Sequence, residues 1–560
     1  MSTTDKNTAP ANNISHYLPE VAAAFPWKRA VVVPVGRDAE GRVAYSQQTF
    51  AQLNAASDRQ AWALSELGVA RGARVLVMVH PGLDFVALAF ALFKMAAVPV
   101  FIDPGMGFRA FLRCVAMAKP ETLVAVPKAC LLRLLSPSSF GTVKRVVTLG
   151  RRSFLGAQSL WLQTGGSGPF PVTPVEPDET AAILFTTGST GPAKGVVYTH
   201  RIFTTQTELI RREYRITPAD IDLPCFPLFV LFSTALGVTS VIPDMDPSRP
   251  ASVDAERIVE AVLDHGVTYS FGSPALWRRV SRYCIAHDIT LPSLRRILMA
   301  GAPVPGELHR QILFNVVAEG ARTYTPYGAT EALPLTTFTG AEMLAMTEKK
   351  TRDGAGLCVG RPLPEVTMRI IRITEDPIAS WGEDLVLPEG EIGEVAVKGP
   401  IVTREYDGLS EETRHAKIPD GDEFWHRMGD VGYMDPRGRL WFCGRKAHRV
   451  LTAEATLYTV PCEAIFNEHP HVFRAALVGI GTDRSRQTPV IVIEPHPEHF
   501  PKNHAAAERL RAELLDLGEK NKLTRVIRHV LFHRSFPVDI RHNAKIKREV
   551  LAQWAACELG

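Results

Sequence analysis

The residues best suited to chemistry lie between Thr186 and Gly195. Ten positions hold three glycines, four hydroxyl side chains and Lys194. Glycines let backbone N–H groups approach an anion closely, and such nests bind phosphate. Thr186, Thr187, Ser189 and Thr190 add donors around Gly188 and Gly191, and Lys194 adds a compact positive charge. A plain Gly/Ser/Thr-rich surface loop is the simpler reading. It fits poorly with a lysine placed after the apolar run Ala181-Ala182-Ile183-Leu184, which reads as a buried strand. A Walker A loop is excluded, because Lys194 is followed by Gly195 and not by Ser or Thr.

Three further stretches carry chemistry. Tyr324-Thr325-Pro326-Tyr327-Gly328-Ala329-Thr330-Glu331 joins an aromatic ring, a glycine, a hydroxyl and a carboxylate. That set can stack a base, admit a phosphate and offer oxygen to a hard cation. A bare Tyr-Gly turn would look the same in isolation. Asp430 stands among glycines in Met428-Gly429-Asp430-Val431-Gly432, where a carboxylate can accept from both hydroxyls of a ribose or simply close a turn. Lys545 belongs to the basic run Asp539-Ile540-Arg541-His542-Asn543-Ala544-Lys545-Ile546-Lys547-Arg548. A fourth stretch, Phe226–Gly237, is rich in phenylalanine and reads equally as core or as an apolar ligand pocket.

The elements that must hold these residues alternate between strand and helix. Arg74–Val79, Glu121–Val126 and Arg145–Leu149 are strand-like. Leu83–Met95 reads as a buried helix and Ala97–Ile102 as the strand after it. The whole run Leu83–Ile102 is long enough to raise a membrane span, but it contains Lys94 and Pro99. Such alternation predicts a parallel, doubly wound sheet over residues 28–150. Ile297–Pro303 reads as a strand ending in the turn Gly301-Ala302, and ligands sit beyond such strand ends in open α/β sheets. The turn Asp435-Pro436-Arg437-Gly438-Arg439 predicts a hairpin leading to Leu440–Arg445.

With 560 residues the chain exceeds one hydrophobic core, so more than one domain is expected. A formal charge of +4 gives no general argument for nucleic acid, although residues 504–550 carry eleven Lys and Arg against six Asp and Glu. The eight cysteines form no CxxC pair, which argues against zinc, a redox pair and a disulfide framework. Residues 1–15 are polar without an apolar run. They are expected to be disordered and are not a signal peptide. The cytoplasm is the default location, with no transmembrane segment.

Taken in order, these motifs resemble the adenylate-forming superfamily of acyl-CoA synthetases, luciferases and non-ribosomal peptide synthetase adenylation domains. The resemblance implies an α/β fold with a large N-terminal domain, 16–444, and a small mobile C-terminal domain, 445–560. It implies ATP and Mg2+ as cofactors. By motif position, Thr186, Thr187, Gly188, Ser189, Thr190, Gly191 and Lys194 would hold the β- and γ-phosphates. Tyr327, Gly328, Ala329, Gly301 and Ala302 would enclose the adenine, Thr330 would meet the α-phosphate and Glu331 the metal. Asp430 and Arg445 would take the ribose, and Lys545 would bridge carboxylate and α-phosphate.

Some positions depart from the acyl-CoA synthetase pattern. Val230 stands where histidine is usual, Ala447 replaces the usual hinge Asp or Lys, Ala544 replaces the glycine before the lysine, and Glu454 stands where a glycine normally faces the pantetheine tunnel. With Ile102-Asp103-Pro104-Gly105-Met106-Gly107, this combination is similar to the olefin β-lactone synthetases. Membership there implies adenylation of a long-chain 2-alkyl-3-hydroxy acid, attack by its own 3-hydroxyl, and release of a β-lactone and AMP without CoA. Other olefin-biosynthesis enzymes would be its partners besides the small acyl substrate. A long-chain acyl-CoA or acyl-AMP ligase and a non-catalytic nucleotide sensor are the competing readings.

Overall fold

The apolar run that raised the membrane question forms the helix Leu83–Lys94, buried from Phe85 to Lys94, and then the strand Val98–Ile102, buried at all five positions. The protein is described here from a computed structural model covering residues 12–153, 156–163, 166–185, 192–539 and 545–560. Among these residues no helix is long and apolar enough to cross a membrane. Lys94 stays inside because a second helix, Phe50–Glu66, supplies three acceptors. Its ammonium donates to Asn54 Oδ1 at 2.7 Å, Ser57 Oγ at 2.8 Å and Asp58 Oδ1 at 2.5 Å.

Val98–Ile102 is a central strand of a seven-stranded sheet. In spatial order its strands are Gln158–Ser159, Arg145–Thr148, Thr122–Ala125, Arg74–Met78, Val98–Ile102, Thr180–Phe185 and Gly195–Thr199. Every neighbouring pair is parallel except the last. A second seven-stranded sheet runs Arg322–Tyr324, Arg296–Met299, Tyr269–Gly272, Ile221–Pro224, Thr239–Val241, Arg29–Arg37 and Val43–Thr49. It too is parallel up to an antiparallel edge pair. Residues 28–150 therefore do not build one sheet. Arg29–Arg37 crosses to the second sheet, where Val31 lies opposite Ser240. A parallel neighbour arrives by a long crossover, so adjacency in sequence does not decide the pairing.

Glu423–Met434 and Leu440–Arg445 are antiparallel strands of a third sheet, joined by the expected turn, where Gly438 N–H donates to the Asp435 carbonyl. That sheet continues through Leu357–Pro362, Ala332–Thr337 and Tyr327–Ala329 on one side, and Gly393–Lys398 and Thr367–Ile371 on the other. The C-terminal part has its own three-stranded sheet, Val472–Ile480, Thr488–Pro495 and His529–Phe532. Helices Thr459–Phe466, His504–Glu519 and Arg548–Leu559 accompany it, and Phe466, Leu477, Ile491 and Leu514 lie in its core. The architecture is α/β with a smaller α+β part, as expected.

The N-terminus departs from the expectation of disorder through Ser15. Residues 1–11 lie outside the described set, but Asn13, Ile14 and Ser15 are buried. Asn13 Nδ2 donates to the carbonyls of Phe93 at 2.7 Å and Thr173 at 3.0 Å, and its Oδ1 accepts from Ser15 N–H at 3.0 Å. One amide side chain thus replaces the partners a polar segment would otherwise find in water.

The Lys94–Asp58 pair yields a test. Burial pulls the Lys94 pKa down and Asp58 opposes it. Asp58→Ala should leave a buried ammonium short of its counter-charge and cost about 3–5 kcal/mol, seen as a lower thermal midpoint. An unchanged midpoint would show that the ammonium is held by Asn54 and Ser57 alone.

Candidate active site

The carboxyl ends of Val98–Ile102, Thr180–Phe185, Tyr269–Gly272 and Arg296–Met299 open on one chamber of about 1080 Å³. Its wall includes Lys194, Gly301, Ala302, the whole run Tyr327-Gly328-Ala329-Thr330-Glu331, Asp430, Arg445 and Lys545. Residues separated by up to 351 positions are thereby brought to one place. Thr186, Thr187, Gly188, Ser189, Thr190 and Gly191 lie outside the described residues.

Asp430 is set by the third sheet. It pairs directly with Arg445 across two antiparallel strands, and the side chains meet at 3.0 Å. Gly429, at φ +64°, turns the strand just before it, a conformation that favours glycine. Tyr327 O–H donates to Asp430 Oδ2 at 2.6 Å, and Arg445 donates to the Met428 carbonyl at 3.2 Å. Burial pushes the Asp430 carboxyl up, against the pull of Arg445. The Asp430 charge in turn raises Arg445 and, after burial, Tyr327.

A second cluster surrounds Glu331. Its Oε1 accepts from Tyr406 O–H at 2.8 Å, and its backbone carbonyl accepts from Thr403 N–H at 2.9 Å. The Lys194 ammonium lies 4.6 Å above the Tyr406 ring, within cation–π range. Asp407 N–H donates to the Gly195 carbonyl at 2.7 Å, and Tyr198 O–H donates to the Thr330 carbonyl at 2.6 Å. The segment 403–407 therefore ties the residue after Lys194 to the residue bearing the carboxylate.

Residues 18–407 match the AMP-binding enzyme family. The chain belongs to that family. It is 45% identical over 556 residues to an olefin beta-lactone synthetase of Xanthomonas campestris pv. campestris, covering 97% of each chain. It is 43% identical to an olefin beta-lactone synthetase of Stenotrophomonas maltophilia, covering 98% of each. Among solved structures, ATP-bound MatB from Rhodopseudomonas palustris superposes with a TM-score of 0.77 at 21% identity, over 98% of this chain and 100% of that one.

Within this AMP-binding enzyme, the chamber extends away from Asp430 into an apolar half. Phe229 stacks on Phe271 with centroids 3.8 Å apart at 9°, and Phe226 and Phe232 flank it at 5.5 and 5.7 Å. Phe226, Leu228, Leu231 and Leu236 also line the space, whereas Val230 and Ala235 are buried in the core and do not. The stretch serves as both wall and core.

Sequence reasoning missed several residues here. Tyr198 and Tyr406 carried no motif. Lys417 is buried, donates to the Thr403 carbonyl and is pulled down to about 7 by burial, with Glu331 opposing. His426 lines the chamber. Lys417 and His426 sit in mixed stretches, Thr413-Arg414-His415-Ala416-Lys417 and Phe424-Trp425-His426-Arg427, that carry no motif.

Asp222 was missed too. It is 1% exposed at the apolar end of the chamber, and its Oδ2 accepts from Ser233 O–H at 2.6 Å while Oδ1 has no partner among the described residues. Burial pushes this carboxyl up to about 8, from an ordinary 3.8. Between those two values the folded chain keeps a proton that the unfolded chain releases, so stability falls as pH rises. Asp222→Asn should remove that slope. Its thermal midpoint should exceed the wild type at pH 8, by on the order of a few kcal/mol of stability, and the gap should narrow by about pH 5. Parallel pH profiles would rule out the buried acid as their cause.

Proposed function

We propose that this AMP-forming ligase adenylates a long-chain 2-alkyl-3-hydroxy acid with ATP. The 3-hydroxyl then attacks the acyl adenylate, giving a β-lactone and AMP. The observation that supports this most is one chamber whose polar end carries Asp430, Arg445, Lys194 and Lys545 and whose other end is lined by phenylalanine. Near full-length similarity to proteins named olefin beta-lactone synthetase supports the ring-forming outcome.

In this reading Asp430 accepts from the ribose hydroxyls, with Arg445 beside it and Tyr327 against the adenine. Carboxylate attack on the α-phosphorus builds negative charge on oxygens that are already crowded. Lys545 and Thr330 are positioned to stabilise it, and Lys194 with residues 186–191 the pyrophosphate that leaves. Glu331 would hold Mg2+. It is a carboxylate fixed through one oxygen by Tyr406, and a hard cation supported by one carboxylate takes its remaining ligands from phosphate and water. When bound, the ion would neutralise phosphate charge. Ring closure needs no second substrate. The nucleophile is already carried beside the carbonyl, which saves the entropy of bringing two molecules together.

Independence from CoA fits the turn Thr452–Ala455. There the exposed Glu454 occupies the tunnel-facing glycine position, and its N–H bonds to Thr452 Oγ at 3.2 Å. The ATP requirement fits a cytoplasmic setting, and enzymes that make the hydroxy acid or consume the lactone are its natural partners.

Two outcomes are expected. Lys545→Ala should lower adenylation by about 10²-fold or more, yet still convert a supplied 3-hydroxyacyl adenylate to lactone. Lys547→Ala should behave as wild type. Equal loss of both half-reactions in folded Lys545→Ala protein would end this division of labour. We further place a hinge at Arg445–Val450 between domains 16–444 and 445–560. Limited proteolysis should cut there, with nucleotide altering the rate. Cleavage confined to other sites would refute the hinge.

A further inference from the structure

His426 is a chamber residue that the nucleotide and metal roles above leave unused. It stands on Glu423–Met434 directly opposite Lys417 on one side and Val397 on the other, so its ring shares a face with the Lys417 side chain. The residue is 2% exposed and lines the chamber. Its Nδ1 lies 3.2 Å from the Ala416 carbonyl oxygen. A carbonyl only accepts, so the proton sits on Nδ1 and Nε2 carries the lone pair.

That lone pair has no donor among the described residues. His200, His265 and His309 also leave Nε2 unpaired, but there the atom is enclosed by protein; His426 Nε2 is not among these enclosed atoms. The chamber is the space this residue lines, and Nε2 is assigned to it. Burial, with Lys417, Lys194 and Arg445 nearby, holds the imidazole neutral, well below the usual histidine range.

A neutral imidazole facing a ligand asks for a donor. Phosphates and a carboxylate offer only acceptors, and the adenine amino group lies with Tyr327 in the reading above. The ribose hydroxyls belong to Asp430 in the reading above. The substrate's 3-hydroxyl is the donor that remains, and it must lose its proton when the ring closes. We propose that His426 is the catalytic base of ring closure. Nε2 takes the proton as the 3-oxygen attacks the acyl carbonyl carbon. The O–H bond breaks and the ring C–O bond forms. The bond from the acyl carbon to the phosphate oxygen breaks, and its electron pair leaves with AMP. The imidazolium left among three cations is a strong acid and returns its proton to solvent, which resets the base. The proposal rests on the β-lactone reading.

The test uses full-length enzyme with a 2-alkyl-3-hydroxy acid, ATP and Mg2+, following ATP–pyrophosphate exchange and products by mass spectrometry. Wild type should give lactone; failure to do so overturns the β-lactone reading itself. His426→Asn keeps a donor for the Ala416 carbonyl and removes the atom facing the chamber. It should still exchange pyrophosphate, accumulate the acyl adenylate, and form lactone about 10²–10⁴-fold more slowly. His426→Gln puts an amide near the Nε2 position and should be equally slow, because an amide does not take a proton. Lactone formation at the wild-type rate in either variant, or recovery in His426→Gln alone, overturns the base. So does loss of exchange in parallel with lactone in folded protein. If His426→Asn does not fold, His426→Gln decides by the same criteria.

Discussion

The Asp430 carboxylate is the constraint on which the rest of this structure depends. It is buried, and a buried charge persists only with a counter-charge and hydrogen bonds. Arg445 and Tyr327 supply them, from a paired strand and from the far edge of the same sheet. Arg445 also ends the last strand of that sheet. The next residue, Lys446, is held by Glu394 at 3.2 Å and the Thr374 carbonyl at 3.0 Å, and Glu394 in turn makes a fully buried pair with Arg427 at 2.6 Å. From Lys446 the chain runs on toward the C-terminal three-stranded sheet. One carboxylate thus links a local pocket to distant segments.

The polar end of the chamber mixes both signs of charge. Lys194, Arg445 and Lys545 line it together with Glu331 and Asp430, and Lys417 is buried on the strand beside His426. Burial governs the proton equilibria beside it: it pulls Lys417 down to about 7, against Glu331, and holds His426 neutral, with Lys417, Lys194 and Arg445 adding to the effect. Such a site gains from anions more than it would in water, because fixed cations in low dielectric need no reorganisation when the anion arrives. The same preorganisation disfavours a second positive charge, which keeps a nearby imidazole basic nitrogen free.

What could be read in the sequence follows from how local each signal is. Lys194, Glu331, Asp430 and Lys545 sit in short motifs whose residue types speak for themselves, and all four line one chamber. The alternation of strands and helices was equally legible. The membership of Arg29–Arg37 in the second sheet was not, because nothing in the strand records which crossover returns beside it. Tyr406 was invisible for a related reason. It meets Glu331 because its segment pairs with remote chain: Val402 bridges to Ala332 and Tyr406 to Val196, 210 positions away. Asn13 looked like part of a polar tail because its partners, Phe93 and Thr173, are remote.

The apolar half of the chamber sharpens the functional argument. An acyl adenylate is reactive toward water, and a phenylalanine wall that excludes water protects it until an attached hydroxyl attacks. The wall includes a polar chain, Tyr269, Ser233 and Asp222, where Ser233 Oγ lies 2.8 Å from the Tyr269 hydroxyl. All three are buried, and Asp222 holds its proton at neutral pH because burial outweighs the Ser233 bond. A neutral acid there costs far less than a carboxylate would, so the pocket keeps its apolar character although its sequence contains a charge. Reading that aspartate as an ionised residue would place a charge at the apolar end of the chamber. Reading it as protonated leaves that end without a charge, in keeping with its phenylalanine wall.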